Sequence, residues 1–211
     1  MKVQPPYASY RRGITLRLAT GLLIWGLSAG SYALGLIRWV SLVGVSVSVA
    51  FITVMALGFL LFLGEAIRSG RPIASILDRL FVLVGYAAIM YFLGGVEASY
   101  LVPVFVIFQI YYVVATNRGL PFLTATMSFA CISAFVVLEC TGVLPHLDPL
   151  PGNPPPVLTQ AAILVATGFV LYVAAFMSAG TASLIERGWA SLNERNAELV
   201  VAKAGRWSPT G

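Results

Sequence analysis

The sequence predicts an all-α, polytopic membrane protein with six transmembrane helices and a short C-terminal cytoplasmic helix. Of its 211 residues, 59% are hydrophobic and only 10% are charged, against roughly 25% charged residues in a typical soluble domain. The mean hydropathy is +0.90, and a soluble fold of this size could not bury so much apolar surface. The composition therefore excludes a soluble enzyme, a disordered regulator and a disulfide scaffold.

Six apolar segments follow a polar N-terminal tail, residues 1–12, and form the predicted membrane module, residues 13–185. Charged residues or turns separate the segments, and each must be helical because backbone groups in lipid need internal hydrogen bonds. A proline-rich stretch separates the last two. The predicted spans are residues 13–37, 40–64, 76–93, 99–116, 120–143 and 158–185.

Span four is the shortest of the six. At 1.5 Å per residue, its helix is about 27 Å long, which barely crosses the hydrocarbon of a bilayer. A re-entrant hairpin of spans three and four is therefore the alternative to two full crossings.

The distribution of basic residues predicts the orientation of these spans. With the N-terminus in the cytoplasm, Arg38 is the one basic side chain of the outer face, and an even number of spans leaves both termini inside. The bilayer then accounts for the basic composition, and no nucleic-acid partner is needed. The cytoplasmic basic residues are Lys2, Arg11, Arg12, Arg17, Arg68, Arg71, Arg79, Arg118, Arg187, Arg195, Lys203 and Arg206.

Few charged residues fall on the predicted outer face, and they are the candidate sensing residues. Glu97 lies in the turn between spans three and four, Glu139 near the outer end of span five, and Arg38 after span one, with His146 nearby. A carboxylate at such a depth is costly and is usually paired or faces water. The alternatives are a polar input site, an interfacial carboxylate, or an ion pair with Arg38.

Gln109, near the middle of span four, is a further candidate. An amide at this depth needs a partner across a helix interface, or it hydrogen-bonds a ligand such as a quinone head group. We expect no metal, because His146 is the single histidine and lacks a second His or Cys partner. Neither a cofactor nor a catalytic residue is predicted.

The segment after span six, residues 186–204, carries a heptad pattern and precedes a final tail, residues 205–211. Ile185, Leu192 and Leu199 are seven residues apart, and Trp189 and Asn196 occupy the complementary core positions. An Asn at a core position favours a parallel dimer in one register. The pattern predicts a homodimer seam on a signalling helix, with a solvated amphipathic helix as the alternative.

Three short motifs resemble the six-span N-terminal membrane input region of bacterial sensor histidine kinases, of the type IV pilus regulator and redox-responsive regulator types. They are YFLGGVE at 91–97, ECTGVLP at 139–145 and LNERNAEL at 192–199. The resemblance implies a bacterial inner-membrane sensor that signals through span six to a dimeric helix and a kinase core. That core is not expected in this chain, so no enzyme activity is expected either.

Within the redox-responsive group, a double glycine opens a loop that is linked to quinone sensing. Gly94 and Gly95 match that double glycine, but Ala98, Ser99 and Tyr100 stand where the group has Asn-Pro-Phe. Quinone binding is therefore not part of what the resemblance implies. The alternatives are an input module of a diguanylate cyclase and a small multi-span transporter or membrane assembly protein.

Overall fold

A computed structural model describes residues 6–62, 72–113, 119–147 and 156–206. These residues are almost entirely helical and include no strand, which confirms the all-α part of the predicted fold class. A 3-10 helix, Gly95–Leu101, follows the third α-helix. The α-helices are α1 (Pro6–Ala33), α2 (Trp39–Phe62), α3 (Pro72–Phe92), α4 (Val102–Val113), α5 (Leu120–Cys140) and α6 (Val157–Arg206).

Four helices in the described ranges are long and apolar enough to cross a membrane. They correspond to predicted spans one, two, five and six. The membrane-length segments are Ile14–Ala33, Trp39–Phe59, Leu120–Cys140 and Val157–Leu199.

The surface of these helices is strongly apolar. Side chains such as Leu22, Val54, Phe169 and Phe176 are more than 60% exposed, and they recur along α1, α2 and α6. A water-soluble monomer rarely exposes a contiguous apolar surface of this extent, whereas the hydrocarbon of a bilayer solvates it. The burial pattern therefore agrees with a membrane protein.

α1 ends four residues before the predicted end of span one. Gly35 has a φ of +71°, and the N–H of Leu36 donates to the carbonyl of Ser31 while that of Gly35 donates to Tyr32. These two bonds form a Schellman motif, in which a glycine with positive φ stops the helix. The apolar residues that follow, which the prediction placed in the span, lie beyond this stop.

Predicted span four is not a single α-helix. Gly94 and Gly95 both have positive φ values, +121° and +59°, which side chains rarely permit. The 3-10 helix follows, with non-helical dihedrals at Ala98, and α4 has only 12 residues. Its α-helical part is thus about 18 Å long.

α6 has 50 residues and continues without a break through the predicted boundary at residue 185. It is about 75 Å long, more than twice the thickness of the bilayer hydrocarbon. The segment predicted to be a signalling helix, residues 186–204, is therefore the continuation of the preceding apolar helix rather than a separate element. The predicted final tail lies largely outside the described residues.

α3 lies at the centre of the bundle, between α2 and α5, while α1 packs on α2 and α6 packs on α4 and α5. Two glycines allow α2 and α3 to approach closely. A Cβ on Gly44 would come within 2.1 Å of the Phe92 ring, and one on Gly85 within 2.4 Å of Ile52. Tyr86 of α3 is buried against the rings of Phe105 and Phe108 on α4.

Candidate functional site

Glu139, in the last turn of α5, forms an ion pair with His146 in the loop that follows. Nδ1 of His146 contacts Oε1 of Glu139. The Glu139 side chain is 5% exposed and that of His146 is 16% exposed. A carboxylate buried to this degree needs a close partner, and His146 is the partner that the fold provides.

The backbone of Gly95 lies directly against the same carboxylate. A Cβ at Gly95 would come within 2.7 Å of Oε2 of Glu139, so a side chain here would displace the carboxylate, and the positive φ of +59° would strain it in any case. The turn between α3 and α4 therefore meets the end of α5 at Glu139. We call this end of the bundle, formed by residues 94–101 and 139–147, the double-glycine end.

Tyr91, in the last turn of α3, holds the loop from the other side. Its hydroxyl donates to the carbonyl of Pro145 at 2.6 Å, and its ring stacks on Phe135 at 5.6 Å between centroids. A cavity of about 10 Å³, lined by Tyr91, Gly95, Glu139 and apolar side chains, lies beneath. That volume is close to the space of one water molecule.

Cys140 links the same corner to α6. Its thiol donates to Oε1 of Gln160 at 3.1 Å, and Gln160 is buried in the first turn of α6. The double-glycine end therefore brings together the end of α3, the end of α5 and the beginning of α6. A change in the loop would reach the long helix within one turn of its start.

The other predicted sensing residues at this end take no part in the pair. Glu97 is exposed and so is Arg38, and neither forms an ion pair within the described ranges. Of the alternatives that the sequence leaves open, an ion pair of Glu139 with Arg38 is thus not formed, and Glu139 contacts His146 instead. The loop brings His146 to Glu139, and Gly142, with a φ of +74°, allows the reversal that this requires.

Gln109 is completely buried in α4. Neither its Oε1 nor its Nε2 has a hydrogen-bond partner in the described part of the chain. The expected hydrogen bond across a helix interface is thus not formed, and the two aromatic neighbours on its helix, Phe105 and Phe108, are buried beside it.

A second buried cluster lies toward the opposite end of α3, and sequence reasoning did not identify it as a pair. Arg17 of α1 makes two contacts of 2.8 Å with the carboxylate of Asp78, and both side chains are almost fully buried. The Tyr86 hydroxyl donates to the Arg17 carbonyl at 2.9 Å. The available signal was an arginine and an aspartate inside two apolar segments, because such residues in a bundle usually pair.

The predicted dimer seam lies on the exposed part of α6. Its four apolar side chains are at least 41% exposed and Asn196 is exposed as well, as are the neighbouring charged residues Arg187, Glu194, Arg195 and Glu198. The single chain therefore leaves this stripe without a packing partner. The stripe consists of Ile185, Trp189, Leu192, Asn196 and Leu199.

No family model, curated protein or solved structure matches this chain. No group of three or more His, Cys, Asp or Glu side chains in the described ranges is placed to hold a metal ion. The candidate site is therefore defined by its geometry alone: an ion pair, a double-glycine turn and the beginning of a long helix.

Proposed function

We propose that this chain is the membrane input module of a bacterial two-component sensor histidine kinase. The observation that carries the proposal is the length of α6, which begins at the Glu139–His146 corner and continues as one helix well beyond a bilayer. A helix that is continuous from an input site to an exposed stripe can transmit a rotation or a shift along its axis. The kinase core would receive that movement from the end of α6.

The proposed topology has six spans in the inner membrane, with both termini in the cytoplasm. α3 has 21 residues, about 32 Å, which suffices for a crossing. The fourth crossing would be made by α4 with the adjoining part of the 3-10 helix, and these two elements together reach at most about 32 Å. The double-glycine end then faces the periplasm, and the positive-inside distribution of basic residues supports this orientation.

The exposed stripe on α6 is the proposed seam of a homodimer. Asn196 can hydrogen-bond its counterpart only in a parallel pair that is in register, and such a pair aligns two kinase cores. The stripe is short, and an isolated helix of this size is marginal in water. The membrane bundles would therefore raise the effective concentration of the two tails.

The test joins the chain, through Leu199, to the dimeric catalytic core of a histidine kinase, with zero to seven alanines inserted at the junction. Each alanine rotates the core by about 100° on an α-helix. We expect autophosphorylation in vesicles to be highest with zero or seven insertions, which preserve the heptad register over two helical turns, and to show a lesser maximum at three or four insertions, which nearly complete one turn.

The matched control is the same insertion series joined at Arg187, before most of the stripe. Its activity should be low and should depend little on the number of insertions. If the activity of the Leu199 series shows no such dependence on the number of inserted residues, the proposal is contradicted. Single cysteines along 185–203, with Cys131 and Cys140 replaced, should crosslink best at the five stripe positions, and peaks on the opposite face would also contradict it.

A further inference from the structure

The Glu139–His146 pair holds the α5–α6 loop between three elements. The Gly95 backbone confines the Glu139 carboxylate on one side. The Tyr91 hydroxyl of α3 donates a hydrogen bond to the carbonyl of Pro145, the residue before His146. The residue after Glu139 reaches Gln160 of α6. The ion pair is therefore the charged member of a contact network that joins α3, α5 and α6.

Imidazole is the side chain whose charge changes between pH 5 and 8, since its unperturbed pKa is about 6.5. In the protonated form, His146 neutralises a carboxylate that is almost completely buried. In the neutral form, it can still donate one hydrogen bond from Nδ1, but the carboxylate charge remains without an opposite charge. A buried carboxylate without an opposite charge is costly, and exposing it to water would lower that cost.

The surroundings leave His146 as the group that sets the charge balance in this range. Among the described residues, the titratable side chains around the pair include Tyr91 at the end of α3 and Cys140, which follows Glu139 on α5, while Glu97 of the 3-10 helix is exposed. Tyr91 and Cys140 are both engaged as hydrogen-bond donors. No lysine or arginine among the described residues pairs with Glu139, so no permanent cation substitutes for the imidazolium.

We propose that the Glu139–His146 pair is a pH-sensitive latch that holds the α5–α6 loop against the double-glycine turn in acid and releases it at higher pH. The attraction between the two charges is present while His146 is protonated and Glu139 is ionised. It weakens as the pH rises through the imidazole titration. The loop and the first turn of α6 then become less constrained.

This inference deepens the proposed function, because it gives the input module a stimulus, the proton concentration on the periplasmic side. It concerns the purified chain, however, and can be tested without any kinase. Failure of the latch and failure of the signalling proposal are therefore distinguishable. The latch is tested by measurements on residues 139–147, whereas the signalling proposal is tested by the insertion series at the end of α6.

The chain contains a single histidine, so ¹⁵N-histidine labelling reports on this pair without assignment. In lipid nanodiscs we expect one titration between pH 5 and 8, with the neutral form protonated on Nδ1. Glu139→Gln should lower the midpoint by about one pH unit or more, because the opposite charge that favours imidazolium is gone. The control Glu97→Gln removes an exposed carboxylate of the neighbouring turn and should leave the midpoint unchanged.

Hydrogen exchange tests the structural consequence. The amide of Leu144, which donates to the carbonyl of Leu138, should be at least threefold better protected at pH 5.5 than at pH 8.0, after correction for intrinsic exchange rates. His146→Asn keeps a donor near the Nδ1 position but cannot titrate, and should show equal protection at both values. Equal protection in the wild-type chain, or a histidine that does not titrate between pH 5 and 8, would overturn the proposal.

Discussion

The two ion pairs in the described part of the molecule lie toward opposite ends of α3 and differ in what can change them. Arg17 and Asp78 make two contacts of 2.8 Å between α1 and α3, and a guanidinium keeps its charge throughout the physiological range. Glu139 pairs instead with an imidazole, whose charge follows the pH. One end of the bundle thus has an ion pair whose charges are permanent, whereas the other has a pair whose attraction depends on pH.

The position of each pair matches this difference. The Arg17–Asp78 pair connects two helices directly and is backed by the Tyr86 hydroxyl. The Glu139–His146 pair closes a loop and lies within one residue of contacts to α3 and α6. The first pair therefore fixes two helices to each other, while the second is the one that we propose responds to pH.

The largest effect is expected from breaking the permanent pair. Asp78→Ala leaves the Arg17 guanidinium buried without its carboxylate, and should lower the free energy of unfolding by about 3–5 kcal/mol. Thermal unfolding in detergent, followed by circular dichroism, measures the loss. The double variant Arg17→Met with Asp78→Leu should recover part of the stability, because it removes these two charges together but leaves the neighbouring buried Arg79 without the Asp78 carboxylate.

Glu194→Ala, on the exposed part of α6, is the matched control for the loss of a carboxylate. It should change stability by no more than about 0.5 kcal/mol. If Asp78→Ala cost as little as this control, the Arg17–Asp78 pair would not fix the two helices as described above.

The next effect concerns the double-glycine turn. Gly95→Ala forces a side chain into a positive φ and against Oε2 of Glu139, so we expect a loss of about 2–4 kcal/mol. Gly142→Ala has a similar φ but open space around it, and should cost only about 1–2 kcal/mol. The same unfolding measurements compare the two variants, and equal losses would remove the proposed contact between the turn and the carboxylate.

A smaller effect, which raises rather than lowers the free energy of unfolding, is expected at Gln109 of α4. Gln109→Met removes a buried amide that lacks hydrogen-bond partners and keeps a similar volume, so unfolding should become about 1–3 kcal/mol less favourable. Gln160→Met is the control, since the Gln160 amide accepts from Cys140 and its loss should destabilise the protein. Destabilisation by Gln109→Met would reveal a polar contact that Gln109 makes.

The smallest effect is expected on the exposed stripe. Leu192→Ala should leave the unfolding of the bundle within about 0.5 kcal/mol of wild type, because Leu192 is 53% exposed in the single chain. The same substitution should reduce crosslinking of the tail in vesicles. A large loss of stability with no loss of crosslinking would place Leu192 in the core of the single chain instead.

The sequence is sufficient to predict that the chain is all-helical, and roughly where each helix lies, because long apolar segments between charges leave few alternatives. It is less informative about the faces of those helices. Helices that are apolar all round carry no periodic signal for an inward face. Gly26 and Gly30, spaced as a packing motif, have open space around them, whereas the isolated Gly44 and Gly85 make the close contacts.

The candidate site shows the same limit. The position of Glu139 as a carboxylate near the end of a span is evident from sequence, but its partner depends on the path of a loop. That path is set by Gly142 and by the contact of Tyr91 with Pro145, which no spacing rule specifies. Arg38 was an equally reasonable partner by charge, and only the folded chain distinguishes it from His146.

The central claim is that a signal enters at the Glu139–His146 pair and leaves along α6. Its most direct test is the crosslinking of a single cysteine at position 192, in a background without Cys131 and Cys140, in vesicles whose tail side is held at pH 7.4. The pH on the double-glycine side alone is changed from 5.5 to 8.0. We expect the extent of crosslinking to change at least twofold in the otherwise wild-type chain and to stay constant in His146→Asn. Equal behaviour of the two chains, whether both change or neither does, would contradict it.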